Sequence, residues 1–238
     1  MLTFFRRIRK GLLGSGATRK YFLYAVGEIA LVVIGILIAL QINNWNEWRK
    51  ERVLEKIVLE DIKDNIERND ELIRSAIETI DQINRSTYIV KKHIQMSLAY
   101  SDTLSYHTNQ ALRSGTFLFK LNFDGYESLK STGFNIIKNE ELKDEILSLF
   151  EVTYGYILTT LNFANSFYLD DLSWWKEYFY KNDLDNYIPY NKENILDEKR
   201  FLTEINDIAF LRGDFQTTIK ESLPKSKNVL TLIEDELK

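Results

Sequence analysis

The residues able to do chemistry are few and scattered. His93 and His107 are the only histidines, fourteen positions apart, with no carboxylate at metal-ligand spacing. A zinc or iron site needs three or four converging donors, so both read as surface or core histidines. Asp170 and Asp171 form an acid pair on a segment rich in lysine and aromatics. General acid–base work needs two acids brought together in space, which adjacency in a helix does not supply. There is no cysteine, which excludes thiol catalysis, thiolate zinc sites, a disulfide scaffold and a lipoprotein anchor. No glycine-rich phosphate loop, G-x-S-x-G or H-E-x-x-H occurs. The expectation is a protein without catalytic residues, metal or cofactor.

Two features point to recognition. Glu28 lies inside the apolar run Tyr21–Ile42 and shares a helix face with Leu31, Val32, Gly35 and Ala39. An ionisable side chain is costly in a bilayer, and Gly35-x-x-x-Ala39 is the small-xxx-small step that lets two helices approach closely. This face is therefore a candidate helix contact, with Glu28 bonded across it; the alternative is a glutamate that snorkels to the headgroups. The second feature is residues 163–180, which hold eight aromatics. A helix so aromatic on all sides cannot hide every ring against one neighbour. Trp174, Trp175, Tyr178 and Tyr180 are the candidate surface for a protein, glycan or small-molecule partner; the alternative is core at one end of a bundle plus its tip.

These residues need elements to position them. The chain has 238 residues, 45% hydrophobic and 28% charged, enough apolar material for a packed core. Ten glycines and two prolines are too few for the turns of an all-β sandwich or barrel. Residues 1–20 carry six basic side chains and no acid, whereas residues 21–238 carry 25 Lys+Arg against 35 Asp+Glu. An acidic body is a poor nucleic-acid ligand; a basic tip suits an anionic bilayer surface.

As a helix, Tyr21–Ile42 would run roughly 33 Å, against a hydrocarbon core of about 30 Å. Arg6, Arg7, Arg9 and Lys10 before it, and Trp45 and Trp48 after it, are the expected membrane-surface anchors. Leu2, Phe5, Ile8 and Leu12 recur at helical spacing among the arginines, which suggests a short amphipathic helix on the inner leaflet. The run is too long for a cleaved signal peptide and no A-x-A-like site follows it. The basic excess before the span favours a cytoplasmic N-terminus and a large domain outside. The expected organisation is a basic segment 1–20, a transmembrane helix 21–42 and a helical-bundle domain 43–238.

YAVGEIALVVIGILIALQINNWNEWRKER (24–52), preceded by FFRRIRK, resembles the opening of an uncharacterised family of membrane proteins found mainly in Bacteroidota. GYESLKSTGFNIIKNEEL (125–142) resembles that family's other motif, matching at Tyr126, Leu129, Ser131, Thr132, Gly133, Ile137, Lys138, Asn139 and Leu142. The resemblance implies a Gram-negative source and an inner-membrane anchored protein of unknown function. It supplies no catalytic residues.

The body reads as all-α. From Ile36 to Ser114 there is neither glycine nor proline. A seam of Leu59, Ile62, Ile66, Asn69, Ile73, Ala76, Ile80, Ile83, Thr87, Val90 and Ile94 predicts one long helix over 45–99, running on from the span. The seam is coiled-coil-like, so a second copy is one partner for it and later helices of the same chain are the other. A short helix is expected around Gln110. Asp124-x-x-Glu127 reads as a capping box for a helix over 125–132, Gly133 as a left-handed stop and Asn139 as the next N-cap. A second long helix is expected over 139–182 and a turn over 182–194 with Pro189. Asn194 is expected to cap a third helix from Ile195, which Pro224 should kink or restart. The fold expected is an N-terminal transmembrane helix running into a long helix, then an antiparallel bundle. The functional expectation is a non-enzymatic interaction or sensory module in the bilayer. An accessory subunit bound through its span to another membrane protein is the alternative, with an envelope-acting enzyme less favoured; the partners expected are the lipid bilayer and either a second copy in a homo-oligomer or another membrane protein.

Overall fold

The computed structural model describes residues 18–112, 120–182, 186–192, 194–197 and 199–238, without the side chains of 18–21, 102, 167–176 and 197. Arg6, Arg7, Arg9, Lys10 and the amphipathic segment around them lie outside the described residues. The chain falls into two compact units, residues 1–55 and 56–238.

Helix α1, Thr18–Gln95, contains both the apolar run and the seam, so the span and the long helix expected after it are one element. It stops four residues before the expected end. Ser97 takes φ 49°, its N–H donates to Ile94 O and the Leu98 N–H donates to His93 O, both at 3.1 Å. That closure is the Schellman stop, normally built on glycine or asparagine; with serine there, the stop carried no sequence signal.

The second unit is a bundle of four passes. The first is α1 from Lys56 onward. The second runs back along it in two short helices, α2 Asp102–Leu112 and α3 Asp124–Thr132. The third is α4 Glu140–Leu147, a π-helical stretch Ser148–Tyr154 and α5 Gly155–Tyr178. The fourth is α6, Lys199–Leu237. Pairings show α6 antiparallel to α1: Lys56 Nζ donates to Leu237 O at 2.9 Å, Lys63 meets Glu234 at 3.2 Å, and Gln216 donates to Asp81 Oδ1 at 2.7 Å. A two-stranded hairpin joins the third and fourth passes, with β1 Phe179–Lys181 pairing antiparallel with β2 Tyr187–Pro189.

The predicted seam is the core. Leu59, Ile62, Ile66, Ile73, Ile80 and Val90 are fully buried, and later elements of the same chain cover them. Two apolar clusters form along the bundle. The larger joins Val58–Ile80 to residues from α3 through α6; the smaller gathers Val90, Leu104, Leu112, Phe179, Phe201, Ile205 and Ile208. Between them lies a polar layer. Arg212, only 3% exposed, donates to Asn84 Oδ1 at 2.8 Å, Thr87 Oγ1 at 3.0 Å and Ala111 O at 3.3 Å. Burial pushes its guanidinium down to about 10, so it stays a cation at neutral pH.

Several local expectations are corrected. The second long helix is interrupted by the π stretch, whose wider turn faces Leu149, Phe150, Thr153 and Tyr154 all into the core. It ends at Tyr178, where the chain turns into β1, and Pro189 closes β2 instead of a plain turn. Asn194 does not cap α6: a single 3-10 turn, Ile195–Asp197, comes first and the helix begins at Lys199. Pro224 does not restart α6, which runs through it as one helix. Nearby, Ser222 Oγ donates to Ile219 O at 2.8 Å and Ser226 Oγ to Leu223 O at 2.9 Å.

Ser226 also donates to Asp70 Oδ1 at 2.7 Å, within the α1–α6 contact. Burial raises the Asp70 carboxyl above its ordinary 3.8, against the pull of Ser226 and Arg74. The folded chain therefore binds this proton more tightly than the unfolded chain. Its contribution stabilises as pH falls through the raised value toward 3.8 and is lost as pH rises. Asp70→Asn keeps an oxygen for Ser226 and removes the buried charge. Thermal melts followed by circular dichroism should show the variant melting above the parent at pH 7, with the gap closing toward pH 4; a lower melting point at pH 7 contradicts this account.

Candidate functional site

Three places carry the candidate residues: the apolar part of α1, the 125–142 motif and the aromatic end of α5. In the first unit, one helix near the N-terminus is long and apolar enough to cross a membrane; an 18-residue window reaches a mean hydropathy of 2.5 with none of it buried. That exposure separates it from the core helix of a soluble protein. Trp45 and Trp48 follow it, both exposed. A Cβ added at Gly35 would meet nothing within 4 Å, so the face shared with Glu28 and Ala39 is open. Glu28 is half-buried and Ala39 exposed.

The motif residues serve internal packing. Asn69 of α1 fixes the entry to α3 at two points: its Nδ2 donates to Asn122 O at 2.9 Å and its Oδ1 accepts the Asn122 N–H at 2.7 Å. The Asn122 side chain in turn accepts the Asp124 N–H at 2.7 Å. This corrects the capping box: Asp124 is already the first helical residue, Phe123 is the N-cap, and neither Asp124 nor Glu127 caps. Gly125 is where α3 touches α1; a Cβ there would stand 2.6 Å from Asp61 O and 3.1 Å from Ile62 N. Tyr126 is buried, stacks on Phe150 at 4.6 Å with planes 4° apart, and donates its hydroxyl to Glu151 Oε1 at 2.6 Å. Burial and that carboxylate push the Tyr126 hydroxyl well above the usual phenol range. Leu129, Ile137 and Leu142 are core.

Gly133 does stop α3 at positive φ, but at φ 99°, ψ 133°, outside the left-handed helical region and on ground that only glycine occupies easily. Asn139 caps α4 as expected, accepting the Leu142 N–H at 3.2 Å, and its Nδ2 donates to Glu236 Oε2 at 3.2 Å, which ties the motif to the end of α6.

At the other end, the aromatics divide. Phe179 is core and Tyr178 packs partly buried against the smaller cluster. Tyr180 is 43% exposed and its ring lies 5.4 Å from that of Tyr190, itself 64% exposed. The side chains of Trp174 and Trp175 lie outside the described residues. Asn109 holds the hairpin by the same two-point device: its Nδ2 donates to Tyr187 O at 2.9 Å and its Oδ1 accepts the Tyr187 N–H at 2.5 Å. Phe163, the first of the eight aromatics, is exposed, as are Val152 and Tyr156 before it, which the sequence reading missed because it followed only the inward face there. His93 and His107 bond within the chain, to Ile89 O at 3.0 Å and Ser86 Oγ at 3.1 Å. Among the described residues no group of three His, Cys, Asp or Glu could hold a metal ion.

If Gly125 is a contact point, Gly125→Ala should cost about 1–3 kcal/mol, because backbone faces the new methyl. Gly213→Ala, in open space within α6, should stabilise by about 0.5–1 kcal/mol through helix propensity. Opposite signs in urea unfolding of the two variants are the expected outcome; equal effects would mean that Gly125 is not a point of close approach.

Comparison with curated proteins and with solved structures finds no match. A family profile described as a family of unknown function (DUF6090) matches residues 28–211, from Glu28 in the apolar run, through the 125–142 motif, into the first half of α6. With more than half its length so matched, the chain belongs to the DUF6090 family.

Proposed function

We propose that this protein is a single-pass membrane protein whose helical domain acts as an interaction or sensory module, with no catalysis of its own. The observation that carries the proposal is the apolar stretch of α1 from Phe22 to Ile42, whose large side chains are exposed although nothing polar shields them. Water makes such a surface unfavourable by about 25 cal/mol per Å², and a bilayer removes that cost. The six basic residues of 1–20 against four in 43–60 favour a cytoplasmic N-terminus. The Gram-negative setting implied by the family resemblance supports a span in the inner membrane with the bundle in the periplasm. The test is a reporter fused after Lys238. A periplasmic reporter should be active there and a cytoplasmic one silent; the reverse pattern sinks the orientation. Replacing Arg6, Arg7, Arg9 and Lys10 with Gln should scramble it.

A second reading, an accessory subunit or homo-oligomer held through the span, is favoured by one observation. Gly35 opens onto free space on the face that also presents Glu28 and Ala39. Interhelical hydrogen bonds in membranes average about 0.6 kcal/mol and reach roughly 2. Gly35→Leu and Glu28→Leu should each weaken association of the span several-fold in a bilayer reporter assay, while Gly27→Leu leaves it intact. Unchanged association in the first two makes the span a tether only.

A further inference from the structure

The contact between α1 and the 125–142 motif contains a polar group that the protein does not satisfy. Asn65 is 0% exposed, and neither its Nδ2 nor its Oδ1 has a hydrogen-bond partner. Leaving a buried amide unmet is destabilising, and a leucine of similar size would avoid that cost. Its position is bracketed by two contacts. One turn before it, the backbone of Asp61 and Ile62 lies against Gly125; one turn after it, Asn69 grips the Asn122 backbone. Asn65 therefore sits under the turn that opens α3.

That turn has donors of its own to place. The first N–H groups of a helix have no partner within it. Asn122 Oδ1 takes the Asp124 N–H and Phe123 O takes the Glu127 N–H. The N–H groups of Gly125 and Tyr126, both on buried residues, remain. An acceptor is needed opposite them, and Asn65 offers a carboxamide that does not reach hydrogen-bond distance. An anion is a poor fit, because Asp124 and Glu127 already put two carboxylates in this first turn. A neutral molecule that both donates and accepts, small enough to lie between two helices touching at Gly125, meets every requirement.

We infer that a water molecule is bound in the core between Asn65 and the first turn of α3, bridging the Asn65 carboxamide to the N–H groups of that turn. Such waters make two to four hydrogen bonds to buried polar groups and are costly to displace. The motif helix is then docked by three devices in one stretch of α1: the glycine contact, the bound water and the asparagine clamp.

The test uses the full chain in detergent and two substitutions whose order reverses between a wet and a dry site. In a dry site Asn65→Leu fills the space and removes an unmet amide, while Asn65→Ala leaves a hole, so the leucine variant melts at or above the alanine variant. With a bound water, leucine expels it and strands the α3 donors, while alanine leaves room for a second water. Asn65→Leu is then expected to melt about 3–6 °C below Asn65→Ala. The dry order overturns the inference. A crystal structure of the parent chain decides independently of variant folding. Solvent density within hydrogen-bond distance of the Asn65 side chain and of a first-turn N–H supports the site. A direct bond from the Asn65 carboxamide to protein overturns it.

Discussion

The burial of one helix stripe governs the second unit. Val58 to Val90 of α1 present a nearly continuous apolar face, and every later pass of the chain lies against it. The third and fourth passes do this with long helices. The second does it with α2 and α3, helices of 11 and 9 residues. Helices that short are not stable alone. Their order comes from what α1 and the hairpin offer them, which is why polar clamps concentrate on that pass.

Apolar packing tolerates small slips along a helix; directional polar contacts do not. Asn69 and Asn109 each treat a backbone segment as a strand neighbour would, giving one donor and one acceptor to the same residue. Both are nearly fully buried, so their carboxamides have few alternatives. Arg212 plays the corresponding part between the two apolar clusters, joining α1, α2 and α6 in one layer. Removing a partner from such a layer is more damaging than never having built it, since a buried cation would then be left under-solvated.

The described motif residues have structural duties: Gly125 in close approach, Tyr126 in stacking, Gly133 in the stop and Asn139 in a cap that reaches α6. Ser131 and Thr132 bond to Ser128 O and Lys138 to Asn135 O, all local. The motif's contacts thus hold the bundle together. Among the described residues, exposed apolar or aromatic side chains include those of the span, Tyr88, Tyr106, Val152, Tyr156, Phe163, Phe210 and the Tyr180–Tyr190 pair.

Periodicity and the rarity of breakers were enough to establish the all-α class, the apolar span, the single helix joining it to the seam, and which seam residues are core. These properties are set locally: an apolar stripe at 3.6-residue spacing must be covered whatever covers it. Asn139 was legible as a cap because a cap acts within three residues. What failed was whatever depends on a distant partner. The β1–β2 hairpin is held by Asn109 of α2, 78 positions from its partner Tyr187, and the π stretch at 148–154 turns Leu149, Phe150, Thr153 and Tyr154 into the core, whereas the Ser97 stop is local but has serine where glycine or asparagine would mark it. Asn69 is a polar residue in an apolar seam, and its part is visible only in the fold, where Asn122, 53 residues on, supplies the backbone that it holds. The same holds for Gly125, which is a helix contact only because α3 folds back onto Asp61. Sequence spacing determines which faces need cover; tertiary structure decides which segments provide it, because buried polar groups find partners by proximity in space rather than along the chain.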